Sequence, residues 1–190
     1  MNRKSGKHWK QWADLNAPNS KGLMALDPHF RIQVKDFVEA LVAAGAVVSV
    51  QATRRSARRA YLFHWSWLIA LGKCSPSAAT SMEGVDISWD HGNKMQSIAG
   101  AEEMVRAFGL AIPPRSNVAP ALRSNHILGK AVDLDINWVG KIHVQKKDGT
   151  KIELTYQDNP NTNKKLIEVG KSYGLIKHLN DAPHWSVNGR

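Results

Sequence analysis

The chain has 190 residues, of which 43% are apolar, and a formal net charge of +10 at neutral pH. A chain of this size can bury a core without disulfide staples, and the single cysteine, Cys74, excludes an internal disulfide. A metal site would therefore have to use histidine and carboxylate ligands instead of paired thiolates. The positive charge favours anionic partners or serves only solubility, and charge alone does not separate these alternatives.

The N-terminal region is basic and polar, and we expect residues 1–26 to form an extension that precedes a domain over residues 27–190. Residues 3–12 combine cations with tryptophans, which suits docking on an anionic envelope or a simple tail. Neither a secretory signal nor a membrane span is expected, because the longest apolar-rich run, 61–71, is too short to cross a bilayer.

The first half of the chain predicts two long helices with a strand between them. Asp27-Pro28 is a typical helix start, and the apolar spacing that follows is helical as far as Gly45. Residues 46–51 are a short β-branched run typical of a buried strand. Residues 56–71 then return to a helical pattern.

The second half predicts helices and antiparallel strands in mixed order. A helix is expected at 97–108 and a strand at 131–136. A β-hairpin is expected at 141–155 around Asp148-Gly149, followed by a helix at 163–173 and a strand at 184–187. Because β-helix-β units do not recur at regular lengths, we expect a single α+β domain.

Two clusters of polar residues carry the chemistry that the sequence predicts. In the first, the loop residue His126 is followed by Asp133 on a predicted strand, and in the second Asp181 precedes His184 by three residues. A catalytic zinc takes three nitrogen or oxygen ligands and leaves one position open, so His126, Asp133 and His184 complete a ligand set. Asp181 remains to act as general base towards the attacking water.

The two clusters resemble the motifs of the zinc D-alanyl-D-alanine carboxypeptidases and the phage L-alanyl-D-glutamate endopeptidases. The pattern Ser-x-His-x-x-Gly-x-Ala-x-Asp is complete in residues 124–133, and acid-x-x-His follows at 181–184. The resemblance implies a hedgehog-like fold with a small antiparallel sheet flanked by helices. Many members of the family carry glutamate where this chain has Asp181.

The resemblance also implies three residues at the substrate site. Arg55 occupies the place of the arginine that binds a substrate carboxylate or carbonyl, with Arg54 as the alternative. Ser124 is expected to shape the loop and support substrate binding, since a metal-activated water makes a serine nucleophile unnecessary. Trp185 is expected in the core, with a wall of the substrate groove as the alternative.

The resemblance implies a phage endolysin-type hydrolase that cleaves the peptide stem of peptidoglycan, with Zn²⁺ as cofactor. The expected bond is L-alanyl-D-glutamate, and D-alanyl-D-alanine hydrolysis remains an alternative. A third possibility is a non-catalytic zinc-containing module that binds the envelope. We expect a monomer in the host cytoplasm before lysis, with anionic lipid or lipopolysaccharide as a further partner and no nucleic acid.

Overall fold

The computed structural model describes residues 3–190, so Met1 and Asn2 of the expected extension lie outside the described residues. The chain divides into two compact units. Unit 1 contains the residues up to Asn19 together with Arg55–Arg123, and unit 2 contains Ser20–Arg54 and Ser124–Arg190. Helices and small, mostly antiparallel sheets confirm the predicted α+β class.

The helices and strands of the described residues follow one another in mixed order. The helices are α1 (His8–Asn16), α2 (Pro28–Ala43), α3 (Ala57–Ala70), α4 (Lys94–Phe108) and α5 (Lys164–Ser172). The strands are β1 (Arg3–Lys4), β2 (Val47–Ala52), β3 (Ile87–Ser88), β4 (Ala131–Asn137), β5 (Lys141–Gln145), β6 (Lys151–Thr155), β7 (Ile176–Lys177) and β8 (His184–Ser186). The predicted hairpin 141–155 is confirmed, whereas α1, β1, β3 and β7 were not predicted.

Unit 1 is built on α1, α3 and α4, with the short parallel pair β1–β3 beside them. Trp9 and Ala13, four residues apart on α1, are buried, and the indole N–H of Trp9 donates to the Lys4 carbonyl oxygen at 3.1 Å. Residues 3–19 are therefore an integral part of this unit, which differs from the boundary expected at residue 26.

Unit 2 contains a four-stranded antiparallel sheet of order β2-β4-β8-β7, together with α2, α5 and the β5–β6 hairpin. Asp27 caps α2 by accepting hydrogen bonds from the amides of His29 and Phe30, as its place before Pro28 predicts. In the sheet, Asp133 lies opposite Ala52 on one side and His184 on the other. This register brings the two predicted clusters together.

The helices found in residues 3–190 do not include one that is both long enough and apolar enough to span a bilayer.

Candidate metal centre

Three side chains of unit 2 converge at the centre of the sheet. His126 Nε2 and His184 Nδ1 each lie 3.2 Å from Asp133 Oδ1 and 3.1 Å from each other. Both histidines are buried and Asp133 is half-buried, and the three residues form a group that could hold a metal ion. The structure therefore assembles the ligand set that the sequence predicts.

A tight loop places His126 against the strands. The carbonyl oxygens of Ser124, Asn125 and His126 accept hydrogen bonds from amides three to five residues later. Gly129 closes the loop at φ +69°, and a Cβ there would stand 2.9 Å from the Asp27 nitrogen. Only glycine combines this positive φ with so close a backbone approach, which explains its place in the motif.

Backbone carbonyls fix the tautomers of both histidines. His126 Nδ1 lies 2.6 Å from the Thr53 carbonyl oxygen, and His184 Nε2 lies 3.2 Å from the Arg190 carbonyl oxygen. A carbonyl accepts only from N–H, so each neutral ring carries its proton on that side. His126 Nε2 and His184 Nδ1 consequently present lone pairs to each other and to Asp133.

Asp133 adds negative charge to these lone pairs. Burial alone would raise the pKa of Asp133, but His126 and His184 hold this pKa well below its ordinary value through the hydrogen bonds and positive charge that they supply when they also carry a proton on the side of Asp133. The carboxylate is thus ionised at neutral pH. Its Oδ1 is buried without a properly oriented hydrogen bond from any described residue. Two nitrogen lone pairs that face an unsatisfied buried carboxylate oxygen fit a metal cation.

Asp181, the predicted base, lies on an exposed turn between β7 and β8. Within residues 3–190 the metal-binding group does not include Asp181, and its role as a base stays a prediction. The turn is closed by hydrogen bonds from the Asp181 amide to the His178 oxygen and from the His184 amide to the Asp181 oxygen, both at 3.2 Å.

Lys177 lies inside this turn and was missed at the sequence level. Its side chain is buried, and Nζ donates to the carbonyl oxygens of His178, Asp181 and His184 at 3.0, 2.6 and 3.1 Å. Burial lowers the pKa of Lys177 to about 8, although the carboxylates of Asp181 and Asp133 raise it. The His178 ring, also unassigned, lies 5.7 Å from the His184 ring.

The residues predicted to contact substrate fall in three different environments. The Ser124 hydroxyl is buried and finds no hydrogen-bond partner in the described part of the chain, so it can serve a bound ligand. Trp185 is 0% exposed and packs against Phe37 with ring centroids 5.2 Å apart. This burial agrees with the core position expected for Trp185 and does not favour the alternative, a wall of the substrate groove. Arg55 belongs to unit 1, and its role stays a prediction.

No protein-family model matches the chain, and no curated protein matches it.

Proposed function

We propose that this chain is a zinc peptidase that cleaves the peptide stem of bacterial peptidoglycan. The observation that carries the proposal is the convergence of two tautomer-fixed histidines and one ionised aspartate, 3.1 to 3.2 Å apart. The motifs at 124–133 and 181–184, which resemble those of cell-wall peptidases, supply the substrate class.

Zinc is the metal that best suits this donor set. Two imidazole nitrogens and one carboxylate oxygen are typical of catalytic zinc sites with an open position. Donor atoms that surround zinc tetrahedrally at about 2.0–2.1 Å lie roughly 3.3 Å apart, close to the separations observed here. A calcium or magnesium site would instead be dominated by oxygen donors.

The bound metal and several residues of the chain have separate roles in the proposed reaction. Zinc, when bound, would polarise the scissile carbonyl and activate the attacking water. Asp181 accepts the proton of that water and returns it to the leaving amine, a role for which its exposed turn leaves it accessible. The Ser124 hydroxyl donates to the substrate. For Arg55, which belongs to unit 1, the resemblance implies binding of a substrate carboxylate or carbonyl oxygen.

A groove of about 310 Å³ beside the metal-binding strand offers room for part of the peptide. Its lining includes Asp135 and Asn137 of β4, Tyr156, and Pro183 of the turn that bears Asp181. Carboxylate, amide and phenol groups are suitable partners for peptide N–H groups and for the amines of a stem peptide. The groove continues from the strand that carries Asp133 into the turn before His184.

The proposed role is that of a monomeric phage endolysin, held in the host cytoplasm until it reaches the wall. The L-alanyl-D-glutamate bond is the preferred target, and the D-alanyl-D-alanine bond is the alternative. The net charge of +10 supports attraction to anionic envelope lipid or lipopolysaccharide as well as to the wall.

The decisive experiment is the digestion of purified Gram-negative peptidoglycan, followed by turbidity and by mass spectrometry of the products. We expect activity that a chelator abolishes and zinc restores. Asp133→Asn removes a proposed ligand, so this variant should bind zinc at least about 100-fold more weakly. The loss of a residue that only hydrogen-bonds to a ligand typically costs about 10–100-fold. Asp181→Ala should keep zinc and lose turnover. Asp86→Asn, at an exposed aspartate of unit 1, is the control.

The products identify the bond and test the rivals. Release of stems cut after L-alanine supports the endopeptidase, whereas loss of one terminal alanine supports the carboxypeptidase. Tight zinc binding and retention on the wall without any cleavage would contradict the peptidase proposal. Such a result would instead support an envelope-binding module.

A further inference from the structure

Residues 188–190 form a small turn that folds back onto the metal centre. The Arg190 amide donates to Ser186 Oγ at 3.1 Å and to Asn188 Oδ1 at 3.2 Å. The Arg190 carbonyl oxygen accepts from His184 Nε2 at 3.2 Å and from Ser186 Oγ at 3.1 Å. The turn is therefore closed on itself and directed at a candidate ligand.

The same turn is attached to the segment that carries the other histidine. Asn125 Nδ2 donates to Asn188 Oδ1 and to the Arg190 oxygen, both at 2.6 Å. Asn125 directly precedes His126, so one amide side chain connects the loop of the first ligand to the acceptor of the second. A shift of this turn would change the environment of both histidines.

We infer that the turn 188–190 is a positioning element that holds His184 in its metal-binding tautomer. The ring nitrogen that does not face the metal needs an acceptor to keep its proton, and such outer partners typically change metal affinity by about 10–100-fold. For His184 that acceptor is the Arg190 oxygen. Without it, the proton can move to Nδ1, the atom that faces Asp133 and His126.

The two acceptors differ in how firmly they are held. Thr53 follows β2 directly, and its amide donates to the Ser20 oxygen at 2.8 Å. The Arg190 oxygen instead depends on a three-residue turn whose Gly189 has φ +73° and stands close to Ile176, 2.8 Å from where a Cβ would lie. His184 is thus the ligand whose preorganisation substitutions in this turn can change.

Two independent variants test the inference. Asn125→Ala removes the amide that anchors the turn, and Gly189→Ala forces a Cβ against Ile176 at a positive φ. Gly140→Ala is the matched control for the second, because Gly140 has φ +66° and nothing within 4 Å of its Cβ position. Asn117→Ala, at an exposed asparagine of unit 1, is the control for the first.

The readouts are the zinc dissociation constant, from chelator competition, and the His184 tautomer, from long-range ¹H–¹⁵N NMR of the metal-free protein. We expect Nε2–H in the unsubstituted protein, zinc binding weakened by about 10–100-fold in both variants, and no change in the controls. Unchanged zinc affinity in both folded variants, or a proton on Nδ1 in the unsubstituted protein, would overturn the inference.

The inference rests on the metal centre of the proposed function and not on its substrate. Neither measurement uses a substrate, so a protein that binds zinc as expected but leaves peptidoglycan intact would refute the peptidase and retain the positioning role.

Discussion

At the scale of single residues, Lys177 shows how a cation can be used as an internal cross-link. It replaces water around three carbonyl oxygens of one turn, and each of those oxygens also accepts a backbone N–H. Its Nζ lies 5.5 Å from the centroid of the Trp185 ring, so the ammonium also has an aromatic contact. The turn that carries Asp181 is thereby tied to the strand pair β7–β8.

Lys177→Met should loosen this turn while leaving the backbone hydrogen bonds possible. Loss of a charged donor is expected to cost about 1.5 kcal/mol locally, which corresponds to roughly tenfold faster amide exchange at Asp181 and His184. Hydrogen exchange followed by NMR measures this directly. Lys171→Met, at an exposed lysine, is the control, and equal protection in both variants would contradict the cross-link.

The residue types at the site were predictable because the chemistry of metal ligands and the motif spacing restrict them, and His126, Asp133 and His184 do meet. Lys177 was not predictable, since a lysine on a two-residue strand carries no periodic signal and its acceptors are main-chain atoms. The burial of Trp185 was expected on alternation, and the sheet register with Phe37 beneath it decides against the groove.

At the scale of elements, the predicted helices and strands share strong local signals such as caps, glycine stops and turn pairs. Helix α1 lacks them: Lys7 at its start makes no side-chain cap, and only Trp9 and Ala13 of its nine residues are buried. Its burial depends on contacts with distant residues. Just before the helix, the buried Ser5 hydroxyl lies 3.0 Å from His91 Nε2, 86 positions away.

The burial of His91 gives unit 1 a specific response to pH. Burial lowers the pKa of His91 below 6.5, as does the charge of Lys4, whereas the backbone of Ser88 and the carboxylate of Asp90 raise it. As the pH falls, His91 therefore binds a proton more readily in the unfolded chain than in the folded one. Its contribution to the free energy of unfolding is complete above pH 6.5 and falls as the solution becomes more acidic.

When the pH is lowered from 7.5 to 5, we expect the free energy of unfolding to decrease less in His91→Gln than in the unsubstituted protein. Urea unfolding at both pH values measures the difference, and the histidines of the metal centre affect both proteins equally. His143→Gln, at an exposed histidine, should behave like the unsubstituted protein. Parallel losses in all three proteins would contradict this assignment.

At the scale of the whole molecule, the α+β class followed from the sequence, but the division into units did not. Each unit joins two separate stretches of chain, and contacts between distant stretches leave no local pattern. The expected boundary at residue 26 relied on a change in composition. The two units are divided between residues 19 and 20, 54 and 55, and 123 and 124.

The charge of the whole molecule predicts salt-dependent attachment to the envelope. Binding to Gram-negative sacculi should weaken markedly between low salt and about 1 M salt, where the Debye length shortens to roughly 3 Å. The double variant Lys164→Glu and Lys165→Glu changes two exposed residues and lowers the net charge from +10 by 4 to +6. Co-sedimentation should show weaker binding of this variant at low salt, and salt-independent binding would contradict an electrostatic contribution.

The acceptors for His126 and His184 are main-chain oxygens, of Thr53 and Arg190. Every amino acid supplies such an oxygen, so point substitutions at these two positions can leave the tautomers intact provided that the backbone keeps its course. Evolutionary drift at positions 53 and 190 is therefore compatible with a working centre. Insertions, deletions and substitutions of Gly189 change the course of the backbone, and these are therefore the changes expected to disrupt the centre.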